Sequence, residues 1–161
     1  MAGQPEVCAR CLTRIANLAE LNDSLCGNEG DTLVEPFLSW LLHSIEHAFG
    51  EQTVFITRIE ANYSLPRNRA RCLGLVLCEA VMNSMKHAFR GATSGTLLVT
   101  FASVDQGYRL IVADNGVGFE KPVMRKGRGM GYMGELADEL QGDLYVESLT
   151  RGTRVSLTFP A

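Results

Sequence analysis

The spacing of apolar residues changes along this chain, and the changes divide it into helical and extended stretches. From Glu6 to Leu25, Cys11, Leu12, Ile15, Leu18, Ala19, Leu21 and Leu25 recur at helical spacing, which predicts a helix stopped by the glycines of "CGNEGD". A second helix is predicted to run from a cap at Asp31 to Phe49, with Leu33, Val34, Phe37, Leu38, Leu41, Ile45 and Phe49 on its apolar side and Gly50 as its stop. Two helices joined by a short loop predict an antiparallel hairpin that must pack on something else. The pattern then alternates. "TVFITRIE" is rich in β-branched and aromatic residues and reads as a strand. "SLPRNRARCLGLVLCEAVMNSMKHAF" reads as a long helix, with Ser64 as N-cap and Pro66 in its first turn. "GTLLVTFAS" and "YRLIVAD" are strands joined through the turn "VDQG", so they predict a hairpin. A glycine-rich region from Asn115 to Gly131 leads into the helix "MGELADEL", and "DLYVES" and "TRVSLTF" are two last strands around "LTRG".

These elements predict an α+β fold, a two-layer α/β sandwich whose mixed, mostly antiparallel sheet carries helices on one face. The expected division is residues 1–50 as an N-terminal helical hairpin and residues 51–161 as the α/β domain. Composition fits this reading. The 161 residues are enough for one domain with a sizeable core, and 46% hydrophobic with 20% charged residues is ordinary for a globular chain. A net charge of -3 without a run of like charges argues against a nucleic-acid-binding or general membrane-binding surface. "MAGQPEVCARCLTR" lacks the apolar core of a signal peptide, and "FLSWLLHSI" is too short to cross a bilayer, so the expected location is cytoplasmic. The five cysteines are odd in number and scattered, which argues against a disulfide framework. Cys8 and Cys11 form a C-x-x-C, but no second pair follows at zinc-ligand spacing and no strand precedes it, so ordinary thiols on a helix are favoured.

Three stretches carry candidate chemistry. In the long helix, Glu79, Asn83, Lys86 and His87 lie along one side while Leu73, Leu77, Ala80, Val81 and Ser84 can cover the sheet. Alone, such a stripe reads first as the wet face of a surface helix. In "VADNGVGF", Asp114 ends an apolar strand and Gly116 and Gly118 follow. An acid there can accept a hydrogen bond from an exocyclic amine where backbone approaches a flat ligand closely. "NG" is also a common turn signal, and both readings stand. In "KGRGMGYMGELADEL", Gly127, Gly129 and Gly131 alternate just before a helix, where free N–H groups and the macrodipole favour an anion. The Walker sequence is absent, and so is the βαβ setting of a dinucleotide fingerprint.

Taken in order, E-x-x-x-N-x-x-K-H on a helix, D-x-G-x-G at a strand end and a glycine-rich loop before a helix resemble the N, G1 and G2 boxes of the Bergerat-fold (GHKL) ATPases. The resemblance covers roughly residues 54–160 and includes the closing "RGTRVSLTFP". Within that superfamily, "CEAVMNSMKHAF" and "GMGYMGELADELQGDLYVES" are most similar to the catalytic domains of bacterial two-component sensor histidine kinases, and "RIANLAELNDSL" with "VEPFLSWLLHSI" resembles the end of their dimerisation segment. The resemblance implies ATP and Mg²⁺ as ligands. Asn83 would hold Mg²⁺, Lys86 and His87 would face the phosphates, and Glu79 would polarise a water or the accepting group. Asp114 would bind the adenine amine over a floor of Gly116 and Gly118. Gly127, Arg128, Gly129 and Gly131 would lie in a lid, with Thr153 near the adenine through water.

The helix of residues 6–25 holds no histidine, and His43 and His47 in "LLHSIEHAF" lack the neighbours of a phosphoaccepting histidine. The expected function is therefore transfer of the ATP γ-phosphate to a histidine on another chain. Two alternatives are a serine kinase and partner-binding regulator like the anti-sigma factors, and an ATP-binding switch without transfer. The implied partners are a response regulator, a His-bearing domain or a sigma or anti-sigma protein. The apolar N-terminal helices favour a homodimer.

Overall fold

The computed structural model describes residues 30–49, 53–89, 94–118, 125–126 and 131–161. Along them run β1 (Asp31–Leu33), α1 (Val34–Phe49), β2 (Thr53–Ile59), β3 (Ser64–Pro66), α2 (Arg67–His87), β4 (Gly95–Val104), β5 (Gly107–Asp114), β6 (Arg125–Lys126), α3 (Tyr132–Glu139), β7 (Asp143–Ser148) and β8 (Thr153–Pro160). Six strands form one sheet in the order β2-β4-β5-β8-β7-β6, and β1 pairs with β3 separately. The β2–β4 pair is parallel and its neighbours are antiparallel, so the sheet is mixed and mostly antiparallel, as expected. A parallel pair needs a long crossover, and α2 supplies it between β2 and β4.

Period-two patterning decides which sheet face is covered. Leu97, Val99 and Phe101 of β4 and Val155, Leu157 and Phe159 of β8 are buried, while Thr96, Leu98, Thr100, Ser156 and Thr158 between them are half-exposed. The buried row packs on Val34, Leu38, Leu41, Leu42 and Ile45 of α1, on Leu73, Val76, Leu77, Ala80 and Val81 of α2, and on Met133, Leu136 and Ala137 of α3, in one hydrophobic cluster. Burial of a leucine of this kind contributes about 1.5–3 kcal/mol, and truncating Leu77 to alanine is expected to cost about 2–5 kcal/mol because a cavity remains.

Two expected helix starts are displaced. Asp31 does not cap α1; Asp31, Thr32 and Leu33 pair antiparallel with Pro66, Leu65 and Ser64. The Val34 N–H then donates to the Tyr63 carbonyl at 2.9 Å, and the helix begins there. For the same reason Ser64 is not the N-cap of α2. It lies in the strand, and Pro66 (φ −48°, ψ 140°) holds the cap position without a side-chain cap bond. The two short segments satisfy each other's main-chain groups, a solution local propensity cannot register. The remaining predicted strands and the α3 helix are present within a residue or two of their expected limits. The predicted helix of residues 6–25 lies outside the described residues.

Candidate functional site

The apolar face of α2 packs on the sheet, so its polar stripe faces the gap beside α3. Glu79, Asn83 and Lys86 are half-buried and His87 is exposed. Among the described residues, the side chains of Glu79 and Asn83 have no hydrogen-bond partner. A half-buried carboxylate and amide left in that condition on a wall of packed helix are available to a ligand.

The opposite end of the site is built into the core. Ser84 and Asp114 are the two buried polar side chains among the described residues, and they are bonded to each other. The Ser84 hydroxyl donates to Asp114 Oδ2 at 2.8 Å. Asp114 Oδ1 accepts the Gly116 N–H at 3.0 Å and the Thr153 N–H at 3.1 Å. Burial of a carboxylate is tolerated only when hydrogen bonds replace water, and three donors do so here. Each oxygen has two lone pairs. Oδ1 is filled and Oδ2 retains one acceptor position, which suits a single N–H from a ligand.

After Asp114 the chain does not reverse into a paired strand. Asn115 closes on Thr96, its N–H donating to the Thr96 carbonyl at 3.2 Å and its Oδ1 accepting the Thr96 N–H at 2.8 Å. The Val117 N–H then donates to the Ala88 carbonyl at 3.0 Å, which ties this segment to the C-terminal end of α2. Two glycines permit the packing. A Cβ on Gly116 would stand 2.2 Å from the Ala88 oxygen, and one on Gly152 (φ +92°) would stand 1.7 Å from the Asp114 oxygen. Gly118 abuts the Gly152 carbonyl. The result is a floor of bare backbone beside Asp114.

α3 runs antiparallel to α2. Near its C-terminal end the Cys72 thiol donates to Glu139 Oε2 at 3.1 Å, and Arg69 reaches the Leu140 carbonyl. Both helices rise about 1.5 Å per residue, so stepping back from Glu139 to Tyr132 corresponds to stepping forward from Cys72 to about Glu79. At the start of α3, Gly131 (φ +65°) holds the cap position. Gly127, Arg128 and Gly129 lie outside the described residues. The stripe on α2 and the buried acid at the end of β5 are tied together through Ser84, which lies on α2 and donates to Asp114.

A model of the histidine kinase-like ATPase domain matches residues 48–159, more than half of the chain. The chain belongs to the histidine kinase-like ATPase family. Solved structures of similar fold include the histidine kinase domain of the Erythrobacter litoralis EL346 blue-light activated histidine kinase. That pair has a TM-score of 0.77 at 20% identity, over 93% of this chain and 74% of the other. The mycobacterial sensor histidine kinase MprB gives 0.61 at 15% identity, over 83% and 97%, and the Acinetobacter baumannii histidine kinase AdeS gives 0.65 at 16%, over 96% and 79%. In sequence, the chain is similar to the serine-protein kinase RsbW of Listeria monocytogenes, 30% identical over 69 residues, 43% of this chain. It spans 44% of the length of that relative.

Of the three stretches singled out in the sequence, the first lies on α2, the second at the end of β5, and the third runs from outside the described residues into α3. Two contributors were not singled out from the sequence. Ser84 reads there as part of the apolar face, but a lone hydroxyl on a stripe with Leu77, Ala80 and Val81 is itself a signal of a buried partner. Gly152 reads as an ordinary turn glycine. Thr153 contributes its main-chain N–H to Asp114. The described thiols are held in the neutral form: burial first, then the Glu139 carboxylate, pushes Cys72 up to about 11, and burial with the nearby Glu79 charge pushes Cys78 up to about 12.

Proposed function

We propose that this histidine kinase-like ATPase binds ATP with Mg²⁺ and transfers the γ-phosphate to a residue of another protein. The observation that carries this reading is Asp114, a buried carboxylate with three protein donors and one acceptor position left on Oδ2. That position matches the exocyclic amine of adenine, and the bare backbone at Gly116 suits a flat ring. The stripe of Glu79, Asn83 and Lys86 suits the triphosphate. Asn83 has a free amide oxygen for Mg²⁺, whose charge would offset that of the phosphates, and Lys86 adds a cation at i+3. Phosphoryl transfer asks mainly for positioning and charge neutralisation, which such a wall provides. Glu79 is the group for orienting the accepting atom. Gly127, Arg128, Gly129 and Gly131 form the lid in this reading, with His87 at its edge.

In the first reading the acceptor is a histidine of a partner, in keeping with the histidine kinase-like family. A second reading, a serine kinase that regulates a bound partner, is favoured by the likeness to a serine-protein kinase. In either case residues 1–50 are the segment suited to dimerisation and residues 51–161 the ATP-binding unit of a cytoplasmic signalling protein, with α1 of the first packed into the core of the second. No described helix is long and apolar enough to cross a membrane.

Incubation with γ-labelled ATP and Mg²⁺ beside candidate response regulators, His-bearing domains and anti-anti-sigma proteins tests the assignment. Acid-labile label on the partner marks phosphohistidine and acid-stable label marks phosphoserine. Absence of ATP binding by calorimetry overturns both readings.

A further inference from the structure

The two edges of the six-stranded sheet differ. One is β6, two residues long and both cationic, the kind of short charged edge that discourages pairing. The other is β2, the seven residues "TVFITRI", which hold neither proline nor lysine and carry one charge, Arg58. Val54 and Ile56 on this strand are 58% and 41% exposed, two of the five large apolar side chains left open among the described residues. They stand on the uncovered face of the sheet, where Ile56 lies in register with the half-exposed Leu98 of β4 and Ala113 of β5.

The ladder decides which main-chain groups this edge still offers. The Glu60 N–H donates to the Phe101 carbonyl at 2.9 Å, so in a constant parallel register Val54, Ile56 and Arg58 spend their main-chain groups on β4. Those of Thr53, Phe55, Thr57 and Ile59 point the other way, and among the described residues nothing pairs with them. The side chains of Phe55 and Ile59 meanwhile pack on the helical layer.

We propose that this edge pairs antiparallel with the β2 edge of a second copy about a two-fold axis, joining the two sheets into one. A second copy is selected because the strand is complementary to itself. The register that overlaps the whole strand sets Thr53 opposite Ile59 and Phe55 opposite Thr57 of the second copy. The free main-chain groups belong to those four residues, so each finds a mate. Ile56 then faces its own copy across the axis in the close, non-hydrogen-bonded position, and Val54 lies along the aliphatic stem of the second Arg58. The two Arg58 charges stand four positions apart, about 13 Å, and so do not oppose each other. A two-fold axis uses up both β2 edges and the blunt β6 edge stops further growth, so the assembly closes as a dimer. Contact along one strand is small, which makes the dimer reversible. It is carried by residues 53–59 and not by residues 1–50, and it does not depend on the ATP reading.

Sedimentation velocity from about 1 μM to about 1 mM, the range in which a small interface dissociates, tests the pairing. A monomer–dimer equilibrium is expected. A monomer throughout overturns the proposal and leaves the edge to an extended segment of another protein. Thr57→Pro removes an N–H that the β2–β4 ladder does not use and places a ring on the edge. The dissociation constant should rise about a hundredfold while urea unfolding barely moves. Ile56→Lys sets like charges on the axis and should act the same way. A dimer that both variants leave intact sits on another surface and overturns the proposal. Register is read from Ile56→Cys in a chain with Cys8, Cys11 and Cys26 replaced by serine. Oxidation should link two copies through position 56, because Cα atoms about 4.5 Å apart suit a disulfide. Val54→Cys, whose copies lie four positions apart, should stay unlinked. No link at position 56, or equal linkage at both positions, overturns the pairing.

Discussion

The two ends of the candidate site are held in opposite ways. At one end Asp114 is buried and bonded by Ser84, Gly116 and Thr153, so its position is part of the core. At the other, Glu79 and Asn83 stand half-buried on α2 without a hydrogen-bond partner among the described residues. A group that must read the edge of a flat ring benefits from a fixed direction, because an error in angle loses the hydrogen bond. Groups that meet a charged, metal-bridged chain need room and unspent hydrogen-bonding capacity. Preorganisation and availability have been divided between a strand end and a helix face, and mutations at the two ends should therefore fail differently.

The sharpest break is expected at Gly152→Ala. The added Cβ meets the Asp114 carbonyl at 1.7 Å in a backbone with φ +92°, so a loss of about 3–5 kcal/mol is expected in urea unfolding, together with nucleotide binding. Near-native stability there would show that the acid is not fixed by the fold. Next is Asp114→Asn, which puts an N–H₂ where a ligand N–H must be accepted. ATP affinity should fall about a hundredfold, close to 2.7 kcal/mol, with a smaller loss of stability. Calorimetry checks it, and equal binding of ATP and ITP by the unaltered protein would argue against reading of the amine. Ser84→Ala should weaken ATP by about tenfold and lower stability by about 1–2 kcal/mol, because one donor to the carboxylate is lost while two remain.

On the open side, Asn83→Ala should abolish the Mg²⁺ dependence of nucleotide binding while stability stays within about 0.5 kcal/mol. A large stability loss would mean that the stripe is structural after all. The smallest effect concerns the core-facing side of α2. Cys78 is pushed up to about 12 from 9.0, so its neutral thiol is the form the fold favours. Its contribution is full below about pH 9 and is lost as pH rises toward 12. At pH 8 a chromogenic disulfide reagent should therefore reach Cys78 only as fast as the protein opens; prompt reaction in native protein would show that this face is accessible.

Much of this was legible along the chain. The period-two and helical patterns located β2, β4, β5, β7, β8 and the body of α2, because each of these elements buries one face and must alternate accordingly. The starts of α1 and α2 were misplaced because Asp31–Leu33 and Ser64–Pro66, far apart in sequence, pair with each other. Asp114 stood out through its position between an apolar strand and two glycines. Ser84 did not, because its importance depends on a partner 30 residues away.

The sequence by itself determined the elements, their buried faces and the residue types needed for a nucleotide site, since these depend on local spacing and composition. It could not distinguish a wet helix face from one wall of a site. The tertiary structure adds the arrangement, crossing α2 between β2 and β4, setting α3 beside it and threading the segment after Asp114 back to Ala88. Those contacts are non-local, and it is the packing of α2 on the sheet that fixes which of its faces stays uncovered.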